Sequence, residues 1–138
     1  MIFFDSSALV AHFAAEPDAS WVYHQILAAP AIAANELVRG ECSSAILCKA
    51  RTRAIEAETV LALLEQLDAW FADADDIPAI TPTDLTTATT LCRHPDLALR
   101  MPDAIHLAQC QRLAATLLTR DTAMARAATT LGIAATTP

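Results

Sequence analysis

The chain has 138 residues, 54% of them hydrophobic, and a formal net charge of −7. That is enough apolar material for one domain with its own core, and it excludes a disordered chain. The longest apolar stretches fall well short of the roughly 18 residues a membrane span needs, and no basic segment precedes the first apolar run as a signal peptide would require. In chain order, Ile2-Phe3-Phe4 reads as a buried strand, with Asp5 at its carboxyl end and Ser6-Ser7 opening a helix to Ala15. Glu16-Pro17 stops that helix, and Asp18 caps a second one carrying Trp21, Val22, Ile26 and Leu27. Pro30 to Ala34 is a weak strand candidate whose alanines would equally suit a helix, and Asn35 is placed to cap a long helix to Thr52. A further helix is expected from Ile55 to Ala74, then a strand from Ile77 to Thr81, with Pro78 setting it near an edge. Pro82 starts a helix to Arg93, and Met101-Pro102-Asp103 opens the next. Ala115 to Thr119 is the clearest later strand. Asp121 follows it and starts a helix that ends near Gly132, and Ile133 to Ala135 forms a last short strand.

Strands alternating with helices predict a mostly parallel sheet covered on both faces, in a single domain spanning residues 1–138. With only two glycines there is no Gly-rich phosphate cradle. Cys42, Cys48, Cys92 and Cys110 form no Cys-x-x-Cys pair and are expected as reduced core residues of a cytoplasmic protein. The four histidines are too scattered for a zinc site. Charge is uneven along the chain. Between Ala54 and Cys92 there are eight acids and no Lys or Arg, a block expected as the solvated face of a helical hairpin. The rest carries eight acids against nine basic residues, and its arginines could form a local basic rim.

Four acids do not fit a bland reading. Asp5 and Asp121 each follow an apolar strand and precede a helix, so a doubly wound sheet would set both on one rim. Asp103, opening a helix, could reach the same rim. Each has an alternative role at a helix start, where negative charge is favoured. Glu41 lies on a stripe with Leu37, Ala45 and Cys48, where an unpaired carboxylate is costly. It either pairs with a cation or points inward toward the other acids. Converging carboxylates repel one another, and a divalent cation removes the conflict. All-oxygen ligands suit Mg²⁺ or Mn²⁺, with one or two carboxylates bound directly. Ser7 and Thr119 are placed to orient such a cluster. Arg100 and Arg120 either hold substrate phosphate or pair with the acids. His106, one turn after Asp103, is a ligand, a base or a packed residue hydrogen-bonded within the fold.

At this point the residues resemble a known family. Asp5-Ser6-Ser7-Ala8-Leu9 resembles the first motif of PIN-domain proteins, and Leu37-Val38-Arg39-Gly40-Glu41 with Ala45 resembles their helix-borne Glu motif. Leu99 to Ala108, centred on Met101-Pro102-Asp103-Ala104, is similar to the third motif and is the most specific match. Leu118-Thr119-Arg120-Asp121 with Leu131-Gly132-Ile133 is similar to the fourth. The resemblance spans the chain and suits the compact toxins of the VapBC type. It implies a three-layer α/β/α sandwich and a Mg²⁺- or Mn²⁺-dependent endoribonuclease. Its acidic quartet would be Asp5, Glu41, Asp103 and Asp121, with Asp5 and Asp103 as direct metal ligands. The implied products carry a 5′-phosphate and a 3′-hydroxyl. The implied partners are RNA, a second copy in a homodimer and a cognate antitoxin that covers the site, with no membrane. One departure is Asn35-Glu36, where many relatives carry a small hydroxyl residue; it makes Glu36 a rival to Glu41, although the spacing to Leu37 and Ala45 favours Glu41.

Two other classes compete. A phosphoryl-transfer or receiver-like signalling domain would need an acid beside Asp5 or a lysine after a late strand. Here Ser6-Ser7 follows Asp5, and the single lysine, Lys49, sits in a helix. A non-catalytic interaction domain that kept only the fold would be expected to have lost some of the four acids.

Overall fold

The computed structural model of the chain describes residues 1–74 and 77–138. Strand β1 (Ile2–Phe4) ends at Asp5, whose Oδ1 accepts the Ala8 N–H and so caps helix α1 (Ser6–Phe13). After the Pro17 break come α2 (Ala19–Ala28), β2 (Ile32–Ala33) and α3 (Glu36–Arg51). Asn35 caps α3 through its Oδ1, which accepts the Val38 N–H at 2.8 Å. One 3₁₀ turn at Ala57–Thr59 leads into α4 (Val60–Asp73). Helix α5 (Pro82–Cys92) opens with Thr81 and Asp84 capping each other reciprocally. Next are α6 (Met101–Leu113), β3 (Thr116–Leu118), α7 (Thr122–Thr130) and β4 (Ala135–Thr136). Gly132, just past α7, takes φ +73°, the left-handed turn that closes the helix and is open to glycine without strain.

The strands form one parallel sheet in the order β2-β1-β3-β4, with Phe3 opposite Ala33 and Leu117, and Phe4 opposite Leu118. Successive strand residues point to opposite faces. Phe3, Phe4, Leu117 and Leu118 are all fully buried, so both faces are covered. The Phe3 ring meets His106 of α6 at 5.7 Å, and the Phe4 ring meets Trp70 of α4 at 6.1 Å. Helices α4 and α6 therefore flank the sheet from opposite sides, covering both faces as the alternating pattern predicts and giving the three-layer α/β/α sandwich that the resemblance implies.

The strand order also locates the rim where a site can form. From β1 the chain moves outward to β2, crosses back to β3 on the other side of β1, and continues to β4. Neighbours β1 and β3 thus send their connections in opposite directions. The crevice at their carboxyl ends is where open parallel sheets bind ligands.

Several expectations need correction. Ile77 to Thr81 is not a strand. The carbonyl of Pro78 accepts from Gln109 Nε2, and that of Ala79 accepts from Gln109 Nε2 and Arg112 Nη2, so side chains of α6 replace a ladder that Pro78 could not complete. The last strand begins at Ala135, after the turn at Leu131 and Gly132, rather than at Ile133. In the acidic block, Glu56, Glu58, Glu65, Asp68 and Asp73 are exposed, but Asp84 is buried; Asp75 and Asp76 lie outside the described residues. That block does not build a hairpin, since α4 packs on α3 and α5 on α6. Cys42 and Cys110 are buried, whereas Cys48 is exposed. The buried stripe of α3 is Val38, Cys42 and Ile46, one position away from the expected one, and Glu41 stands on its edge. Among the described residues, no helix is long and apolar enough to cross a membrane.

Candidate functional site

Asp5 and Thr119 meet where β1 and β3 end. The ladder runs one step past the strands, with the Asp5 N–H donating to the Leu118 carbonyl at 3.1 Å. This places the Asp5 carboxylate beside the Thr119 side chain. Thr119 Oγ1 donates to Asp5 Oδ2 at 2.6 Å, and Ser7 Oγ donates to Asp5 Oδ1 at 2.8 Å, next to the Ala8 N–H at 3.0 Å. Asp5 is 4% exposed, and among the described residues these partners are hydroxyls and an N–H rather than a cation. Burial pushes its carboxyl up, against the opposing pull of the Thr119, Ser7 and Ala8 hydrogen bonds.

The same two hydroxyls reach the next acid. Thr119 Oγ1 accepts the Asp121 N–H at 2.9 Å, and Ser7 Oγ accepts the Arg120 N–H at 2.9 Å. Asp121 Oδ1 accepts the N–H groups of Ala123 and Met124, so Asp121 caps α7 while standing at the rim. A groove of about 440 Å³ opens here, lined by Ser7, Asp18, Arg120, Asp121 and Thr122 among others. Both motifs that repeat strand, acid and helix therefore serve as caps and as rim residues together.

Glu41 enters from α3 with its side chain 27% exposed, and its Oε2 lies 2.9 Å from His106 Nε2. Burial alone would raise its carboxyl. The His106 hydrogen bond, the Ser6 hydroxyl and the charge of Arg100 hold it below the usual range. Its rival Glu36 is 65% exposed and faces Arg39 on the outer surface. Asp103, on the first turn of α6, pairs with Arg100, whose Nε is 3.3 Å from Asp103 Oδ2. Arg100 pairs with Asp103 and its charge also favours the ionised Glu41, while His106 bonds Glu41. Burial, then the charges of Asp5 and Glu41, push the Cys42 thiol up to about 12.

Thr119 Oγ1 joins the Asp5 carboxylate to the Asp121 main-chain N–H, while Glu41 bonds His106 and Asp103 pairs with Arg100. Among the described residues, no three Asp, Glu, His or Cys side chains stand together as a ready-made metal cluster. The donors at the rim are anionic or hydroxyl oxygens, hard ligands suited to Mg²⁺ or Mn²⁺, and Mg²⁺ takes one or two carboxylates while keeping several waters. Donor chemistry and donor number therefore fit such a cation.

Arg120 does not face the groove as a free cation, since its guanidinium pairs with Glu16 and with Asp18, the latter at 2.8 Å. Glu16 also pairs with Lys49. Asp18, expected to cap α2 through its side chain, gives its carboxylate to Arg120 instead. Arg100 remains 80% exposed at the rim. Two buried side chains next to the site escaped the sequence reading. Residue order marks Asn35 only as a helix cap and gives Gln109 no role. The available signal was a lone amide in the apolar run Ala104 to Cys110.

The model of the PIN domain family matches residues 2–129. No curated protein matches the chain. Among solved structures, PAE2754 from Pyrobaculum aerophilum is 21% identical, with TM-score 0.66, over 91% of this chain and 84% of that one. VapC20 of Mycobacterium tuberculosis, described as a toxin that cleaves the sarcin-ricin loop, is 16% identical with TM-score 0.73, and both chains are covered fully, 100% and 100%. VapBC2 from Rickettsia felis, solved bound to a DNA fragment from its promoter, is 16% identical with TM-score 0.69, over 99% of this chain and 98% of that one. At such identities these likenesses show the fold. The family match runs from the strand that precedes Asp5 to past Asp121 and takes in all four rim acids: the chain belongs to the PIN domain family.

Proposed function

We propose that the chain is a Mg²⁺- or Mn²⁺-dependent endoribonuclease toxin, silenced by a cognate antitoxin and acting in the cytoplasm as a homodimer. The observation that carries this reading is the treatment of Asp5. It is a nearly fully buried carboxylate at the switch point of the sheet, supplied with hydroxyls and an N–H instead of a counter-ion. Such a group is destabilising to the fold and useful to a cation. Asp5 and Asp103 would hold the cation directly, with Glu41 and Asp121 adding negative charge at its edge. A divalent cation there would supply water activation and charge stabilisation at a phosphodiester. Thr119 and Ser7 keep both Asp5 oxygens in place, and the exposed Arg100 guanidinium is available to a backbone phosphate. VapC20, with the same fold, is described as an RNA-loop-cleaving toxin, and VapBC2 was solved with DNA from its promoter, which supports an antitoxin partner.

The test is direct. Purified chain is incubated with total RNA in Mn²⁺ or in chelator, and the new ends are sequenced. Discrete cuts bearing 5′-phosphates, present with Mn²⁺ and absent with chelator, are the expected outcome. Undegraded RNA under both conditions would end the proposal.

A further inference from the structure

His106 is 2% exposed and packs on Phe3, so its ring orientation is fixed, and what remains open is which ring nitrogen carries the proton. Two fully buried amides, Asn35 and Gln109, answer that, because main-chain groups fix the direction of each. The Val38 N–H can only donate, so the Asn35 atom that meets it is the carbonyl oxygen, and Asn35 turns its NH₂ inward. The carbonyls of Pro78 and Ala79 can only accept, at 3.3 and 3.2 Å, so the Gln109 group facing them is its NH₂, and its oxygen faces Asn35. The two Asn35 NH₂ protons then go to Gln109 Oε1 and to His106 Nδ1, the latter across 3.4 Å. His106 Nδ1 is left as the acceptor, and the ring proton sits on Nε2, 2.9 Å from Glu41 Oε2.

We infer that Asn35, Gln109 and His106 form a hydrogen-bond chain that diverges from the Asn35 NH₂, and in which His106 is a positioning residue. Through its Nε2–H it holds the Glu41 carboxylate in the orientation from which Glu41 acts in the acidic centre. From the cap of α3 the relay donates two ways, through Gln109 of α6 to the carbonyls before α5 and through His106 of α6 to Glu41 at the site, so it joins elements distant in sequence. It also gives Asn35 a role that a serine or threonine cap could not fill. A hydroxyl could cap α3, but it could not donate to Gln109 and His106 at once. This inference rests on the proposed nuclease only in taking Glu41 as part of that centre.

The experiment begins with the unsubstituted protein. Nitrogen-15 imidazole spectra, with His106 assigned by its disappearance in H106Q, read the tautomer directly. A protonated Nε2 with bare Nδ1 is expected; a proton on Nδ1 would overturn the relay. Two variants then separate positioning from packing. H106Q can present an amide N–H to Glu41, whereas H106F fills the ring's space without a donor. Mn²⁺ binding, followed by the free-ion electron paramagnetic signal, should weaken about 10- to 100-fold in H106F. It should stay close to the unsubstituted value in H106Q. With RNA, H106F should lose kcat at unchanged KM. Equal or better Mn²⁺ binding by H106F than by H106Q would show that His106 only fills space. The two proposals fail separately. An Nε2–H tautomer in a chain that cleaves no RNA leaves the relay standing and removes the nuclease, and Mn²⁺-dependent cleavage with an Nδ1–H tautomer does the reverse.

Discussion

Asp5 and Asp84 are the same residue type, at 4% and 2% exposure, and the molecule treats them in opposite ways. Asp84 receives the Arg112 guanidinium on both oxygens, at 2.8 and 3.0 Å, as well as the Thr81 N–H and hydroxyl. Burial alone would raise its carboxyl, but Arg112 and Thr81 hold it below the usual range. At Asp5 the hydroxyls do not offset burial, and the carboxyl is pushed up. The pair at Asp84 closes a structural joint between α5 and α6. Asp5 keeps negative charge in a poorly solvated place, a cost that the fold bears at the switch point of its sheet. Burial of an acid therefore says little by itself, and what the acid is paired with separates a joint from a site.

The contrast can be broken at either end. The largest effect is expected at Asp5. Asp5→Asn should lower RNA cleavage by roughly 10³-fold, as several kcal/mol of charge stabilisation disappear. Its melting temperature should be no lower than that of the unsubstituted chain, because a buried charge is removed. Cleavage at the unsubstituted rate, or a chain that no longer folds, would place Asp5 with Asp84 as a structural residue.

Asp84→Asn should do the opposite, leaving cleavage per folded molecule unchanged while lowering stability by about 2 kcal/mol. That is less than for a fully buried pair, because the guanidinium is partly in water. The sign with pH follows from the depressed carboxyl. The Asp84 contribution is complete above the ordinary value of 3.8 and is lost as pH falls through the lower folded-state value. The gap between denaturant titrations of the two chains should therefore begin to narrow near pH 4 and close only once pH is below that lower folded-state value. A stability gap that persisted there would mean that Arg112 does not act on an ionised Asp84.

Metal sharpens the comparison from outside. A cation bound only by the folded chain, present at ten times its Kd, stabilises by about 1.4 kcal/mol. Mn²⁺ should accordingly raise the melting temperature of the unsubstituted chain and of Asp84→Asn, but not that of Asp5→Asn. An equal shift in all three would place the cation elsewhere. The smallest effect is expected at Arg100, the exposed cation of the rim. Arg100→Gln should weaken RNA binding slightly and reduce the slope of log affinity against log salt by about 1. An unchanged slope would remove Arg100 from the RNA contact.

Much of this was legible in residue order because the cues are local. Ile2 to Phe4 is an apolar run closed by an acid, Thr116 to Leu118 is one with an acid shortly after it, and capping residues such as Asn35 and Asp121 mark helix starts within a residue or two. Ile77 to Thr81 misled because apolar β-branched residues beside a proline look like a strand wherever they stand. Whether a neighbour offers ladder bonds is not written in the segment itself, and here α6 side chains took its carbonyls. Glu41 stands out in residue order even though the buried stripe of α3 lies one position from the expected one, because a carboxylate among apolar helical residues is anomalous on either count.

Residue order alone determined the alternation of strands and helices, the acids at strand ends and the motifs of the family, since each depends on contacts within a few residues. Tertiary structure alone decided that Arg120 pairs with Glu16 and Asp18, that Arg112 neutralises Asp84, and that Asn35 and Gln109 fix the proton on His106. The reason is electrostatic: the state of a buried polar group depends on which partner arrives from a distant part of the chain, and periodicity carries no record of that.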